Sequence, residues 1–410
     1  MKTPPKPLGA WFLTALLAAE TVFLASRMNP NAPFFVSALL GAAAIQVGTC
    51  RSRFELPATL LPAVGLALLR FGLHLGPLYE NPAGFGLFLG LASLFVMGVR
   101  VAHSRPDQVR ENVAAFGAAL ALPLFMIATT RVLPETGRAH PLTLDRILYA
   151  FDSSLGLQTS FILGRLLTRW TWLRALAKLA YEQAPLAATF LYVRTMGPGK
   201  RRKPNLFILF GVAGLAGYLL YALVPAAGPC HLFPSQFPNS APPLAGLALL
   251  PAALPADIPR NAMPSLHMAW AVLMFWSTRQ SSAWLRIGYG LLLFLTVLCT
   301  LGSGEHYLID LVVALPFALA VQAAFRVPVR ELPRSWPFLA GSVGTLAWLG
   351  FLRFGASLWL GSIGLDWSLA SVTVGGAVIL ERQAYRKFRA SVEKRQAAKR
   401  QQFEAASAVL

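Results

Sequence analysis

Apolar residues run along this chain in long stretches, interrupted by short polar or basic connectors. A membrane span needs about 20 mainly apolar residues, and by that measure the chain predicts about twelve helices. They fall near 8–26, 33–49, 56–75, 83–102, 113–132, 174–196, 206–225, 264–279, 284–301, 306–326, 336–353 and 356–380. Open strand edges go unsatisfied in hydrocarbon, so the spans are expected to be helical. The expected fold class is an all-α polytopic membrane protein. Two stretches break the pattern. From Pro134 to Arg169, Asp145, Arg146, Asp152, Arg165 and Arg169 alternate with apolar residues at helical spacing. This predicts one or two amphipathic helices lying on the outer membrane surface. From Pro225 to Ala262 the chain is rich in proline, which removes backbone donors and fixes φ, so a stiff non-helical rim is expected there. No internal repeat is evident.

Composition sharpens this picture. Of 410 residues, 56% are hydrophobic and 13% charged, against roughly 25% charged in soluble domains. The net charge of +19 would suggest nucleic acid in a soluble protein. Here the Lys and Arg residues gather in alternate connectors, such as Lys200 to Lys203, and in the tail beyond Glu381. That asymmetry orients the chain with both termini in the cytoplasm and touches anionic headgroups, and no nucleic-acid partner is expected. The surface segment 131–171 is the basic exception on the other side. The run at residues 1–27 carries Glu20 and lacks a small-x-small cleavage site, so a retained helix is expected. Cys50, Cys230 and Cys299 form no metal-type pair; a Cys230–Cys299 disulfide is conceivable, and ordinary thiols are the simpler expectation.

Chemistry concentrates at two loop-to-helix junctions, Met263-Pro264-Ser265-Leu266-His267 and Gly302-Ser303-Gly304-Glu305-His306-Tyr307-Leu308-Ile309-Asp310. By charge asymmetry both face outward. His306 and Asp310, four apart, would share a helix face, with the carboxylate fixing the imidazole tautomer and freeing the other nitrogen to attack. His267 falls in the first turn of its helix, with Pro264 suited to the first helical position. Helix N-termini offer unpaired amides to phosphate, Gly304 allows close backbone approach, and Arg260 can supply a bidentate charge. Ser265 either contacts phosphate or caps its helix. Tyr307 reads equally as an interfacial aromatic. His74, His103, His140 and His231 read as interfacial polar residues.

These motifs resemble the type 2 phosphatidic acid phosphatase superfamily. Its second motif, PSGH, corresponds to Pro264-Ser265-Leu266-His267 with Leu266 for glycine. Its third, SRxxxxxHxxxD, corresponds to His306 and Asp310, with Cys299 and Thr300 at the Ser-Arg positions. The first motif, KxxxxxxRP, is absent, and Tyr221 to Pro229 stands in its place. Tyr221–Pro229, the MPSLH form and the GxxHYxxD form look like the branch containing inositol phosphorylceramide synthases and their bacterial relatives. The resemblance covers roughly residues 113–326 as a six-helix core. It leaves 1–105 and 336–380 as accessory spans and 381–410 as a separate basic cytoplasmic tail, expected to be helical.

The resemblance implies an enzyme without metal or cofactor in a bacterial inner membrane. His306 attacks a lipid-linked phosphate and forms a phosphohistidine, Asp310 holds His306, and His267 moves the proton. Tyr221, Ser265 and Gly304 join the phosphate site. Arg260, and next Arg131 or Arg138, substitute for the missing cationic motifs. Fewer cations fit a phosphodiester donor, so transfer of a phosphoryl headgroup to a lipid alcohol such as ceramide is expected. The partners are then a lipid phosphate donor, a lipid alcohol acceptor and the membrane. A lipid phosphatase is the nearest alternative. A transporter or flippase using Glu20, Lys178, Glu182 and Asp366 is the non-enzymatic one, and it predicts internal repeats that are not seen.

Overall fold

The computed structural model describes residues 33–50, 52, 54–73, 83–195, 206–326, 331–332, 335–355, 358 and 362–408. The predicted helix at 8–26, Glu20, His74 and the basic connector 200–203 lie outside them. The regular structure of the described residues is helical apart from one two-residue ladder, in which Leu142 pairs with Ala253 and Thr143 with Ala252. It divides into two compact units. The first comprises 1–135, 175–211 and 280–288; the second comprises 136–174, 212–279 and 289–410.

In the first unit, α1 (Pro33–Gly48) packs on α3 (Ala83–Ala102), and α2 (Glu55–Gly72) packs on α3 as well. The α1–α3 crossing is closed by Gly90, where an added Cβ would fall 2.5 Å from the Leu39 carbonyl oxygen. Arg100 ties three connected pieces together by donating to the Thr49 carbonyl at 2.8 Å and to Glu55 at 3.0 Å. α4 (Val109–Ala139) runs from this unit into the second.

The second unit is assembled from α5 (Asp145–Ser154), α6 (Thr159–Arg169), α10 (Pro229–Leu232), α11 (Leu266–Ser277), α13 (Leu308–Ala324), α14 (Trp336–Phe354) and α15 (Ile363–Ala408). Between α6 and α10, in chain order, lie α7 (Thr171–Glu182), α8 (Ala184–Thr195) and α9 (Leu206–Tyr221), and α12 (Ala283–Gly302) precedes α13. α13 is apolar on every side, and all residues from Ile309 to Ala323 are buried. A helix of that kind belongs at the centre of a bundle. It packs against α11, α14 and α15.

The span count needs correction. Among the described residues six helices are long and apolar enough to cross a membrane, against the twelve expected: Glu55–Gly72, Phe85–Ala102, Val109–Ala139, Ala283–Gly302, Trp336–Phe354 and Ile363–Ala390. Three more apolar helices, Phe34–Gly48, Leu206–Tyr221 and Leu308–Ala324, are shorter. The window at 174–196 is two helices, α7 and α8, divided at Gln183. Pro185 has no amide hydrogen with which to continue the preceding turn. The window at 264–279 becomes a twelve-residue helix, started by the Ser265 cap and ended by a tighter turn at Thr278–Gln280. Lys178 and Glu182 do pair, at 3.6 Å.

Three further expectations change. The stretch 134–169 forms two helices, but α5 is not a surface helix with a solvated polar face: Asp145 and Asp152 are both buried. The tail is not a separate piece, because α15 runs unbroken from the last span through Ala408. At its centre the buried Glu381 contacts Arg279 and lies 3.3 Å from Arg326, with the Tyr385 ring beside both guanidinium groups. Asp366 does have a partner, since Ser154 donates to it. All three cysteines are free thiols.

Candidate active site

His306 lies in the extended turn before α13, two residues ahead of the first helical position. The expected shared helix face with Asp310 is therefore replaced by a capping arrangement. Asp310 sits in the first turn and turns back, accepting from the Tyr307 amide at 2.8 Å through Oδ2. The same oxygen lies 3.3 Å from His306 Nδ1, and the Ala262 carbonyl lies 3.0 Å from that nitrogen. A carbonyl accepts only, so Nδ1 carries the proton and Nε2 keeps its lone pair. Nε2 lies 3.2 Å from Ser265 Oγ. The Met268 amide donates to Ser265 Oγ at 3.4 Å, so the hydroxyl is oriented to donate onward to Nε2. Ser265 thus caps α11, one of the two roles expected of it, and in addition touches the imidazole. The His306 backbone is fixed by Ser160, whose hydroxyl donates to its carbonyl at 2.7 Å.

His267 follows Ser265 by two residues and lies within electrostatic reach of His306. Its ring meets Trp270 edge-on at 5.5 Å between centroids. Pro264 falls before the Ser265 cap and not at the first helical position. Tyr221 is buried at the end of α9, with its ring edge-on to Tyr218.

Two aspartates that sequence reasoning placed on the membrane surface hold this site together. Asp152 accepts from the Leu308 amide at 2.7 Å and from the Ile309 amide at 3.2 Å. Asp145 accepts from Gly228 at 2.8 Å, from Ala227 at 3.1 Å and from the Tyr307 hydroxyl at 3.0 Å. Tyr307 is thus a buried strut, not an interfacial aromatic. Burial pushes the Asp145 carboxyl above its usual range, opposed by the donors that favour its charged form. Burial raises Asp152 further, and the Asp310 charge adds to the effect. A carboxylate seven residues after another on an otherwise apolar helical stripe was the available signal, since α5 places both on one face.

The phosphate-binding assignments fare differently. Arg260 is fully buried, and its guanidinium donates to the carbonyls of His140 at 2.9 Å, Leu254 at 3.0 Å and Pro255 at 3.2 Å, and also to Ile258. Its amide donates to Thr136 Oγ1 at 2.8 Å. It pins the proline-rich loop to the end of α4, and its donors are not available to a phosphate. Gly304 is likewise occupied: its amide donates to Leu301 at 3.0 Å and its carbonyl accepts from Cys230 at 3.1 Å. Its φ of +78° and an added Cβ at 2.8 Å from the Cys230 Cβ explain the glycine by backbone and packing, not by anion approach. Arg131 and Arg138 are exposed on α4, Arg131 in the first unit.

Beside this site, in the same unit, His231 Nε2 lies 3.6 Å from Glu305 Oε2. The hydrogen bond to Glu305 is the main cause of a raised His231 pKa.

The site is thus a histidine held by an aspartate, with a second histidine near it, in a bundle that includes helices long and apolar enough to cross a membrane. Residues 146–324 match the family model of the PAP2 superfamily, a stretch that contains His267, His306 and Asp310. The match supports that superfamily and does not distinguish the inositol phosphorylceramide synthase branch. No curated protein and no solved structure matches the chain.

Proposed function

We propose that this chain is a lipid phosphotransferase whose nucleophile is Nε2 of His306. The observation that carries the reading is the locked tautomer: Nδ1–H is held between the Ala262 carbonyl and Asp310, and Nε2 is left with its lone pair. Nε2 attacks phosphorus, a P–N bond forms and the P–O bond to the leaving alcohol breaks. His267, in its protonated form, gives that alkoxide its proton; burial and the His306 charge hold its pKa down to about 3 in the free protein, so the negative charge of the bound phosphate is what lets it carry that proton. In the second half the acceptor hydroxyl passes its proton to His267, its oxygen attacks phosphorus and the P–N bond breaks. Asp310 balances the positive charge that His306 carries in the intermediate, an effect of the kind that contributes about 10²–10⁴-fold in positioned acid–base catalysis.

The acceptor class follows from charge. Arg260, the best cation available to sequence reasoning, is engaged elsewhere. A phosphodiester carries less negative charge than a monoester, so a headgroup transfer from a phospholipid to a lipid alcohol suits a site with few cations. Ceramide is the acceptor we propose, and the core of the enzyme is 113–326, with 1–105 and 336–380 as accessory spans. The Lys and Arg distribution supports cytoplasmic termini and an outward-facing site, and a bacterial inner membrane is the location we propose.

The test is turnover by purified protein in lipid with labelled phosphatidylinositol and ceramide, wild type against His306→Ala. Label is expected in a new lipid with wild type alone. Efficient cleavage of phosphate monoesters with diester lipids ignored would overturn the transferase reading and leave a phosphatase.

A further inference from the structure

We propose that Cys230, His231 and Glu305 form a site for a zinc-class divalent cation at the edge of the candidate active site. The thiol, the imidazole and the carboxylate each offer one ligand atom, and all three atoms lie within 4.8 Å of one another. Sulfur, nitrogen and oxygen donors in this combination suit Zn²⁺ and its spectroscopic substitutes, and three protein ligands leave a fourth position open. Tetrahedral zinc bonds separate the donor atoms by roughly 3.3–3.7 Å, and His231 Nε2 already stands 3.6 Å from Glu305 Oε2.

The backbone brings the three together before any ion binds. Cys230 donates its amide to the Gly304 carbonyl at 3.1 Å, immediately before Glu305. Gly228, with φ +103°, lets the two segments meet: an added Cβ there would lie 2.5 Å from the Glu305 carbonyl carbon. Asp145 fixes the Ala227 and Gly228 amides from beneath. The ligands are therefore carried on a braced turn and on the residue adjoining His306. The surroundings are mixed in charge. The carboxylates of Glu305 and Asp145 act on Cys230, which favours a bound cation, and the Arg260 charge acts on His231 in the opposite sense. Two carboxylates against one guanidinium leave the balance negative.

Binding releases the thiol proton, and any proton on His231, to solvent. The open position then takes water or a phosphate oxygen. A bound cation there places positive charge on Glu305, the residue next to His306. The metal site itself does not depend on the proposed function.

The test is titration of the full-length protein, in detergent micelles, with Co²⁺. One equivalent is expected to produce a near-ultraviolet thiolate charge-transfer band, removed by competing Zn²⁺. Cys230→Ser should abolish the band, and Glu305→Gln should weaken Co²⁺ binding about 10-fold or more. His231→Gln, at a partly exposed side chain, guards against misfolding in the cysteine variant and should weaken binding alike. Absence of a stoichiometric band in wild type, or a band retained in Cys230→Ser and lost in Cys299→Ser, overturns the proposal. The readout is independent of turnover, so an inactive protein with an intact cobalt band would refute the phosphotransferase and leave the metal site standing.

Discussion

Two helices of the second unit begin beside the same imidazole, and they begin differently. At the start of α13 the amides of Tyr307, Leu308 and Ile309 are all taken by carboxylates, from Asp310 and Asp152. At the start of α11 the cap is the neutral Ser265 hydroxyl. Both N-termini carry the positive end of a helix dipole. The first is compensated from within the protein, and the second is not. The difference divides the labour: α13 is a fixed mount that holds His306 and Asp310 in place, and α11 presents the end at which an anion can be accommodated. A helix start in a phosphate-handling motif is thus not automatically a phosphate cradle, because the chemistry of its cap decides.

The largest expected effect is on the chemistry of the mounted side. Asp310→Asn keeps an acceptor for the Tyr307 amide but weakens the hold on Nδ1–H, so turnover should fall by about 10²–10⁴ with the unfolding midpoint little changed. Retained turnover would break the assignment of Asp310. Next is the mount itself. Asp152→Ala leaves two buried amides without acceptors, which should cost about 2–4 kcal/mol in stability, read as a drop in the unfolding temperature in detergent. Arg260→Lys removes several carbonyl bonds in the loop and should cost about 1–3 kcal/mol, while the KM of the folded fraction stays unchanged. A KM that rises with intact stability would return Arg260 to the phosphate site. Last comes the neutral cap: Ser265→Ala should cost about 1 kcal/mol, with a larger loss in turnover than that stability change explains.

Much of this was legible in the sequence. His306 with Asp310, His267 and the Ser265 cap are found at the helix starts where hydrophobic pattern and junction chemistry placed them, although their meeting depends on a turn before the helix and not on a helix face. What the pattern could not give was direction. Asp145 and Asp152 look like the polar stripe of a surface helix, because periodicity reports which residues share a face and not what covers that face. Here backbone amides cover it. Arg260 shows the same limit for a cation: a guanidinium beside a phosphate motif reads as a ligand until a proline-rich loop, whose carbonyls lack local donors, is seen to wrap around it. The spans were overcounted for a third reason. Hydropathy windows do not register a proline such as Pro185, which divides one predicted span into two short helices, or a cap such as Ser265, which fixes where a helix begins.

The most direct measurement is to quench the protein during turnover of a labelled phosphodiester lipid and map where the phosphorus is attached. The account predicts an acid-labile phosphoramidate on the peptide carrying His306, absent from His306→Ala. Phosphorus on another residue, or turnover that persists in His306→Ala, would contradict it.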